Sequence, residues 1–97
     1  MIYEVRTYRL KVRMVPAFLE IFEKAYESGR KQLSPLAAFF RTEVGPLNEV
    51  IHIWPYTDLA ELEAVRAEAA KTEGWPPDTI DMVHDMKAEV FTPFPFM

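Results

Sequence analysis

The chain has 97 residues and a formal net charge of −4, with 49% apolar and 27% charged residues. This composition excludes a disordered chain, and the length leaves room for one domain, residues 1–97. Aromatic residues make up 13% of the sequence, which is heavy for a chain that buries only about 60–65% of its unfolded surface. That imbalance predicts an oligomer or a filled pocket.

Charge is unevenly spread. Residues 1–41 carry eight Lys/Arg against four Glu, and residues 42–97 carry three Lys/Arg against eleven Asp/Glu. The basic residues of the first part are dispersed, which argues against nucleic-acid binding. With no Cys there is no disulfide framework, thiolate metal site or Cys nucleophile. The opening Met1-Ile2-Tyr3-Glu4-Val5-Arg6 is not a basic-then-apolar signal, and no apolar run approaches the ~20 residues of a membrane helix. The expectation is a cytoplasmic protein that meets neither membrane nor nucleic acid.

Ile2 to Leu10 alternates as a strand, with Ile2, Glu4, Arg6, Tyr8 and Leu10 on one face and Tyr3, Val5, Thr7 and Arg9 on the other. A charged face on a first strand needs explaining. Val15, Phe18, Leu19, Phe22, Tyr26 and Leu33 then recur at helical steps, with Pro16 in the first turn and Ser34-Pro35 as the stop. Leu36 to Val44 reads as a second strand, Gly45-Pro46-Leu47-Asn48 as a turn, and Glu49 to Trp54 as a third strand closed by Pro55. Asp58 with Glu61 predicts a capped second helix, with an inner stripe of Leu59, Leu62, Val65, Arg66 and Ala69, ending at Gly74. After the break at Trp75-Pro76-Pro77, Asp78 to His84 suggests a short helical turn and Met86 to Thr92 a last strand. The tail from Pro93 to Met97 reads as extended and apolar.

The order β-α-β-β-α-β predicts an α+β, ferredoxin-like domain with a four-stranded antiparallel sheet ordered 4-1-3-2. Both helices cover one face. The other face is left bare, and an exposed apolar sheet face is normally an interaction surface.

Strands one and three are then central neighbours, so Glu4, Arg6, Tyr8 and His52 converge if their faces coincide. A His beside a carboxylate and an Arg has protonation that can be tuned near neutral pH, which suits acid–base chemistry or binding of an anionic or polar ligand. These four are the candidate catalytic residues. The same set also reads as a structural ion pair with a hydrogen-bonded His52, and both readings stay open. His84, beside Asp85, reads as a surface residue. Two His 32 positions apart without Cys match no zinc spacing, so no metal site is expected. The three isolated Gly give no phosphate loop, and Ser28 and Ser34 have no nucleophile elbow.

The run Met1-Ile2-Tyr3-Glu4-Val5-Arg6-Thr7-Tyr8, and the segment Thr42-Glu43-Val44-Gly45-Pro46-Leu47-Asn48-Glu49-Val50-Ile51-His52-Ile53-Trp54 followed by Tyr56 and Asp58-Leu59-Ala60-Glu61, resemble the NIPSNAP family. Trp75 falls where that family tends to carry a Trp. The resemblance implies a ferredoxin-like domain that pairs through its helix-free sheet face into a dimeric α+β barrel, with a pocket between each sheet and its own helices. It carries over Tyr3, Glu4, Arg6, Tyr8, Asn48, His52 and Trp54, which adds Tyr3, Asn48 and Trp54 as candidate ligand-binding residues. Pro76-Pro77 departs from the family pattern, which continues helically there. Relatives with the fold include cofactor-independent monooxygenases, isomerases and haem enzymes, but fold kinship alone carries no activity.

Three functional expectations follow. The first is a protein that binds or transforms an unidentified small molecule in the sheet–helix pocket without a cofactor, by oxidoreductase or isomerase chemistry. The second is a non-catalytic dimeric module. The third is a haem protein with His52 as axial ligand.

Overall fold

The computed structural model describes residues 1–96. Its four-stranded sheet is built from β1 (Ile2–Leu10), β2 (Ala38–Arg41), β3 (Glu49–Tyr56) and β4 (Val83–Phe91), in the order β2-β3-β1-β4. All three pairings are antiparallel. The expected topology and its central β1–β3 pair are therefore present.

The first helix differs from its prediction. α1 (Val15–Ala25) stops early, a wide π-type turn occupies Tyr26–Arg30, and a three-residue stub, α2 (Lys31–Leu33), follows. The backbone leaves helical geometry at Gly29, where an added Cβ would lie 2.9 Å from the Thr72 methyl. Glycine there lets the two chain segments approach closely. The break rotates the remainder of the helical stripe, so Leu33 is exposed and Arg30 turns inward.

β3 runs through Pro55 instead of ending at it. Ala37 donates its N–H to the Ile53 carbonyl, so odd-numbered residues of β3 direct their backbone groups toward β2. β2 pairs no further than Ile53. The missing N–H of Pro55 thus falls on an open edge, where a ladder bond is not required. β2 itself is shorter than its prediction, and Val44 lies exposed in the connection.

α3 (Leu59–Ala69) begins at the expected N-cap, with Glu61 N–H donating to Asp58 Oδ1 at 2.8 Å. The reciprocal bond is displaced by one residue, because the Glu61 carboxylate accepts from the Thr57 N–H and hydroxyl. Leu59 is exposed instead of facing inward, and α3 ends five residues before Gly74. A short 3-10 turn, Ile80–Met82, leads into β4, which starts earlier than predicted and carries His84 on its exposed surface. Of the tail, Phe94 and Phe96 stack on each other in solvent, while Met97 lies outside the described residues.

The core joins Leu10, Val50, Trp54 and Tyr56 of the sheet to Phe18 and Phe22 of α1 and Leu62 of α3. β3 shows the cleanest burial, alternating buried and half-buried residues along its whole length. β4 is exposed along nearly all of its length on both faces, so the helices roof β1, β2 and β3 only.

Candidate functional site

The charged face of β1 lies under the helices. Register sets Glu4 opposite Trp54, Arg6 opposite His52 and Tyr8 opposite Val50. Strand alternation turns all of these toward α1 and α3. Phe18 and Phe22 descend from α1, Arg30 from the wide turn, Arg66 and Ala69 from α3, and Trp75, Pro76, Pro77 and Thr79 from the following loop. Together they enclose a cavity of about 250 Å³.

Three charged or titratable groups in its wall are almost completely buried: Glu4 at 4%, Arg30 at 4% and His52 at 2% exposure. Glu4 has two cationic partners, a direct bond from the half-exposed Arg66 and a looser pairing with Arg6 at 3.8 Å. Arg30 has no carboxylate partner among the described residues. Its guanidinium donates to the Ser34 carbonyl and the Tyr56 hydroxyl, each at 2.9 Å, and lies 4.1 Å from the Trp54 ring and 5.6 Å from the Trp75 ring. Buried charge without a counter-ion is costly, and the two indole faces supply only part of the compensation.

His52 is held among aromatic rings, edge-on to Tyr8 and Phe22 at 5.1 Å each and stacked on Phe39 at 5.3 Å. Burial, then the charges of Arg6 and Arg30, lower its pKa to about 3. The expected titration near neutrality is thereby replaced by a fixed neutral ring. Its tautomer follows from Trp54, whose indole N–H donates to His52 Nδ1 at 2.9 Å. Indole nitrogen only donates, so Nδ1 is bare and the proton sits on Nε2. That Nε2–H is buried and has no partner among the described residues, and neither has Arg6 Nε–H. Burial, the largest influence, pushes the Tyr56 hydroxyl pKa up, so it also remains protonated.

Of the residues singled out in the sequence, Glu4, Arg6, Tyr8, His52 and Trp54 meet in this cavity. Tyr3 and Asn48 do not. Tyr3 pairs with Pro55 and Phe91 on the opposite, helix-free side, as its odd position in β1 dictates. Asn48 closes the β2–β3 turn at φ 63; its carbonyl accepts from Leu10 N–H at the end of β1 at 2.6 Å, and its side-chain oxygen accepts from Arg13 N–H in the following loop at 3.4 Å. Sequence reasoning missed Arg30, Tyr56 and Thr79 as wall residues. Arg66, on the inner stripe that spacing predicts for its helix, is a further wall residue that the sequence does not mark as part of the site.

The fold and the pocket define a ferredoxin-like α+β domain with a polar-walled cavity between its sheet and its own helices. The NIPSNAP family model matches residues 3–97. The chain belongs to the NIPSNAP family. Human Protein NipSnap homolog 3A is 39% identical over 74 residues, which is 75% of this chain and 30% of that protein. The chain spans about a third of the length of the curated relatives it matches. The crystal structure of protein Atu4242 from Agrobacterium tumefaciens is 33% identical, with a TM-score of 0.90 over 99% of this chain and 96% of that one. A putative antibiotic biosynthesis monooxygenase from Nitrosomonas europaea shares the fold at a TM-score of 0.75 and 14% identity, covering 96% of this chain and 98% of that one.

Proposed function

We propose that the chain binds a small molecule in the cavity between its sheet and helices, and that it works as a homodimer through the helix-free sheet face. One observation carries the first part. Two buried donors, His52 Nε2–H and Arg6 Nε–H, have no acceptor among the described residues, and both side chains belong to the cavity wall. A purely structural network would pair such groups internally. The pairing with a second copy is supported by Tyr3, Val5, Ile51 and Ile53 on the bare face, flanked by the exposed Phe40 and Phe91. A cytoplasmic location goes with the same reading and with the absence of cysteine.

If the bound molecule is transformed, the wall favours enolate or other oxyanion chemistry of the isomerase or cofactor-free oxidoreductase kind. Fixed donors aimed at developing negative charge are what such reactions require. His52 would act as a neutral donor, and Glu4 is the one carboxylate in the wall able to receive a proton. The structural-module reading draws support from Arg30, which ties the wide turn to Trp54 and Tyr56. Haem fits poorly. For Nε2 to bind iron its proton must move to Nδ1, where it would meet the Trp54 N–H, and a cavity of about 250 Å³ is small for a porphyrin. An absorbance spectrum without a Soret band is expected.

The test is a thermal-shift screen of small polar and aromatic compounds on the wild type and on Arg6→Gln and His52→Gln. Compounds that stabilise the wild type and not the folded variants support the pocket. Variants that only lose stability, with no compound acting on the wild type, support the structural network.

A further inference from the structure

The chemical class of the ligand can be read from the wall, given the pocket reading above. Four charged side chains line the cavity: Arg6, Arg30, Arg66 and Glu4. Arg66 bonds Glu4 directly and reaches out to solvent, so these two form a self-contained pair. What remains is cationic. Arg30 is buried with no carboxylate partner among the described residues, and Arg6 stands 3.8 Å from a carboxylate already engaged. His52 adds no charge, only an N–H. The two unpartnered donors come from residues directly opposite each other on β1 and β3. Two adjacent N–H groups beneath an excess of positive charge suit the two oxygens of a carboxylate.

The rest of the wall is aromatic. Tyr8, Phe18, Phe22, Trp54 and Trp75 present ring faces and edges, which suits a planar apolar body more than a bare inorganic anion. Size indicates how much of a ligand the walls can hold. An apolar cavity of about 150 Å³ holds benzene, so about 250 Å³ takes one ring with a short substituent.

We propose that the ligand is a small planar organic carboxylate of about one ring, its oxygens accepting from Arg6 Nε–H and His52 Nε2–H near the buried guanidinium of Arg30, and its ring packed among Phe22, Trp54 and Trp75. Its carboxylate supplies the counter-charge that Arg30 lacks among the described residues.

Trp54 and Trp75 report occupancy by their fluorescence, so titration of the intact wild-type chain tests the proposal with benzoate, benzamide, cyclohexanecarboxylate and inorganic phosphate as probes. Benzoate is expected to change the fluorescence saturably at millimolar levels, and benzamide, equal in shape but uncharged, to bind about 10–100-fold more weakly, the range for a lost charged hydrogen bond. Phosphate is expected not to compete. Arg6→Gln, checked for folding by circular dichroism, is expected to lose the preference of benzoate over benzamide. Benzamide binding as well as benzoate would overturn the carboxylate assignment while leaving a small-molecule pocket in place. Phosphate displacing benzoate would overturn the aromatic part, and cyclohexanecarboxylate matching benzoate would overturn planarity. Silence from all four probes would overturn the assignment itself; a hit in the broader compound screen would then still uphold the pocket.

Discussion

β1 carries two rows of side chains with inverted environments. The middle of its even row, Glu4, Arg6 and Tyr8, is polar and lies beneath the helices, between the apolar Ile2 and Leu10 at its ends. Its odd row, Tyr3, Val5 and Thr7, is mostly apolar and lies on the side with no helices. An ordinary two-layer domain puts the apolar row under the helices and the polar row in water. On the proposed reading the two faces answer to different partners: the roofed polar residues line the cavity for a small molecule, and the bare apolar residues pack against a second copy.

The largest effect should come from removing the aromatic roof of the polar row. Phe22 touches the rings of Phe18, Tyr26, Phe39, His52 and Trp75. Phe22→Ala is expected to lose about 3–5 kcal/mol in urea unfolding. A loss well under that range would mean the roof collapses easily and the cavity is not held open by packing.

Next is the pH dependence of the buried imidazole. His52 titrates at about 3 in the folded chain and near 6.5 when unfolded. Between those values the unfolded chain binds a proton that the folded chain refuses, so stability falls as pH drops. The expected slope is about 1.4 kcal/mol per pH unit below pH 6.5, or roughly 2 kcal/mol by pH 5. His52→Gln, which keeps an acceptor for the Trp54 N–H, should flatten that slope.

The odd row is tested by charge. Phe40→Glu, on the bare face beside Ile51, is expected to convert a dimer into a monomer in light scattering at micromolar concentration, with little change in pocket binding. A wild type that is already a clean monomer would break the comparison on that side. The smallest effect is local and independent of both faces. Asp58→Ala removes the N-cap of α3 and should cost about 1 kcal/mol.

Much of this architecture was legible in the residues. Period-two spacing in Ile2–Leu10 and Glu49–Trp54 separates the two faces of each strand, and Glu4, Arg6, Tyr8 and His52 converge once those faces coincide, which the β1–β3 register supplies. Asp58 and Glu61 mark the helix start through the chemistry of the cap. Arg30 was hidden, because helical spacing places it on the wet side with Glu27 and Lys31, and the break at Gly29 that turns it inward involves Thr72, more than forty positions away. Tyr56 was hidden behind Pro55, whose place at an open edge is a property of the neighbouring strand. Tyr3 came from the family resemblance, which marks positions without saying which face they serve, and Asn48 shares the even spacing of His52 and Trp54 but sits in the turn before β3. The neutral state of His52 was not legible either, since it depends on burial and on the Trp54 bond.

The central claim is that Arg6 and a neutral His52 present fixed N–H donors in the polar wall. Nitrogen-15 NMR of the His52 ring, followed from pH 8 to pH 5, tests it most directly. The account predicts an Nε2–H tautomer with Nδ1 unprotonated and no change over that range. A ring that titrates near pH 6.5, or one protonated at Nδ1, would contradict it.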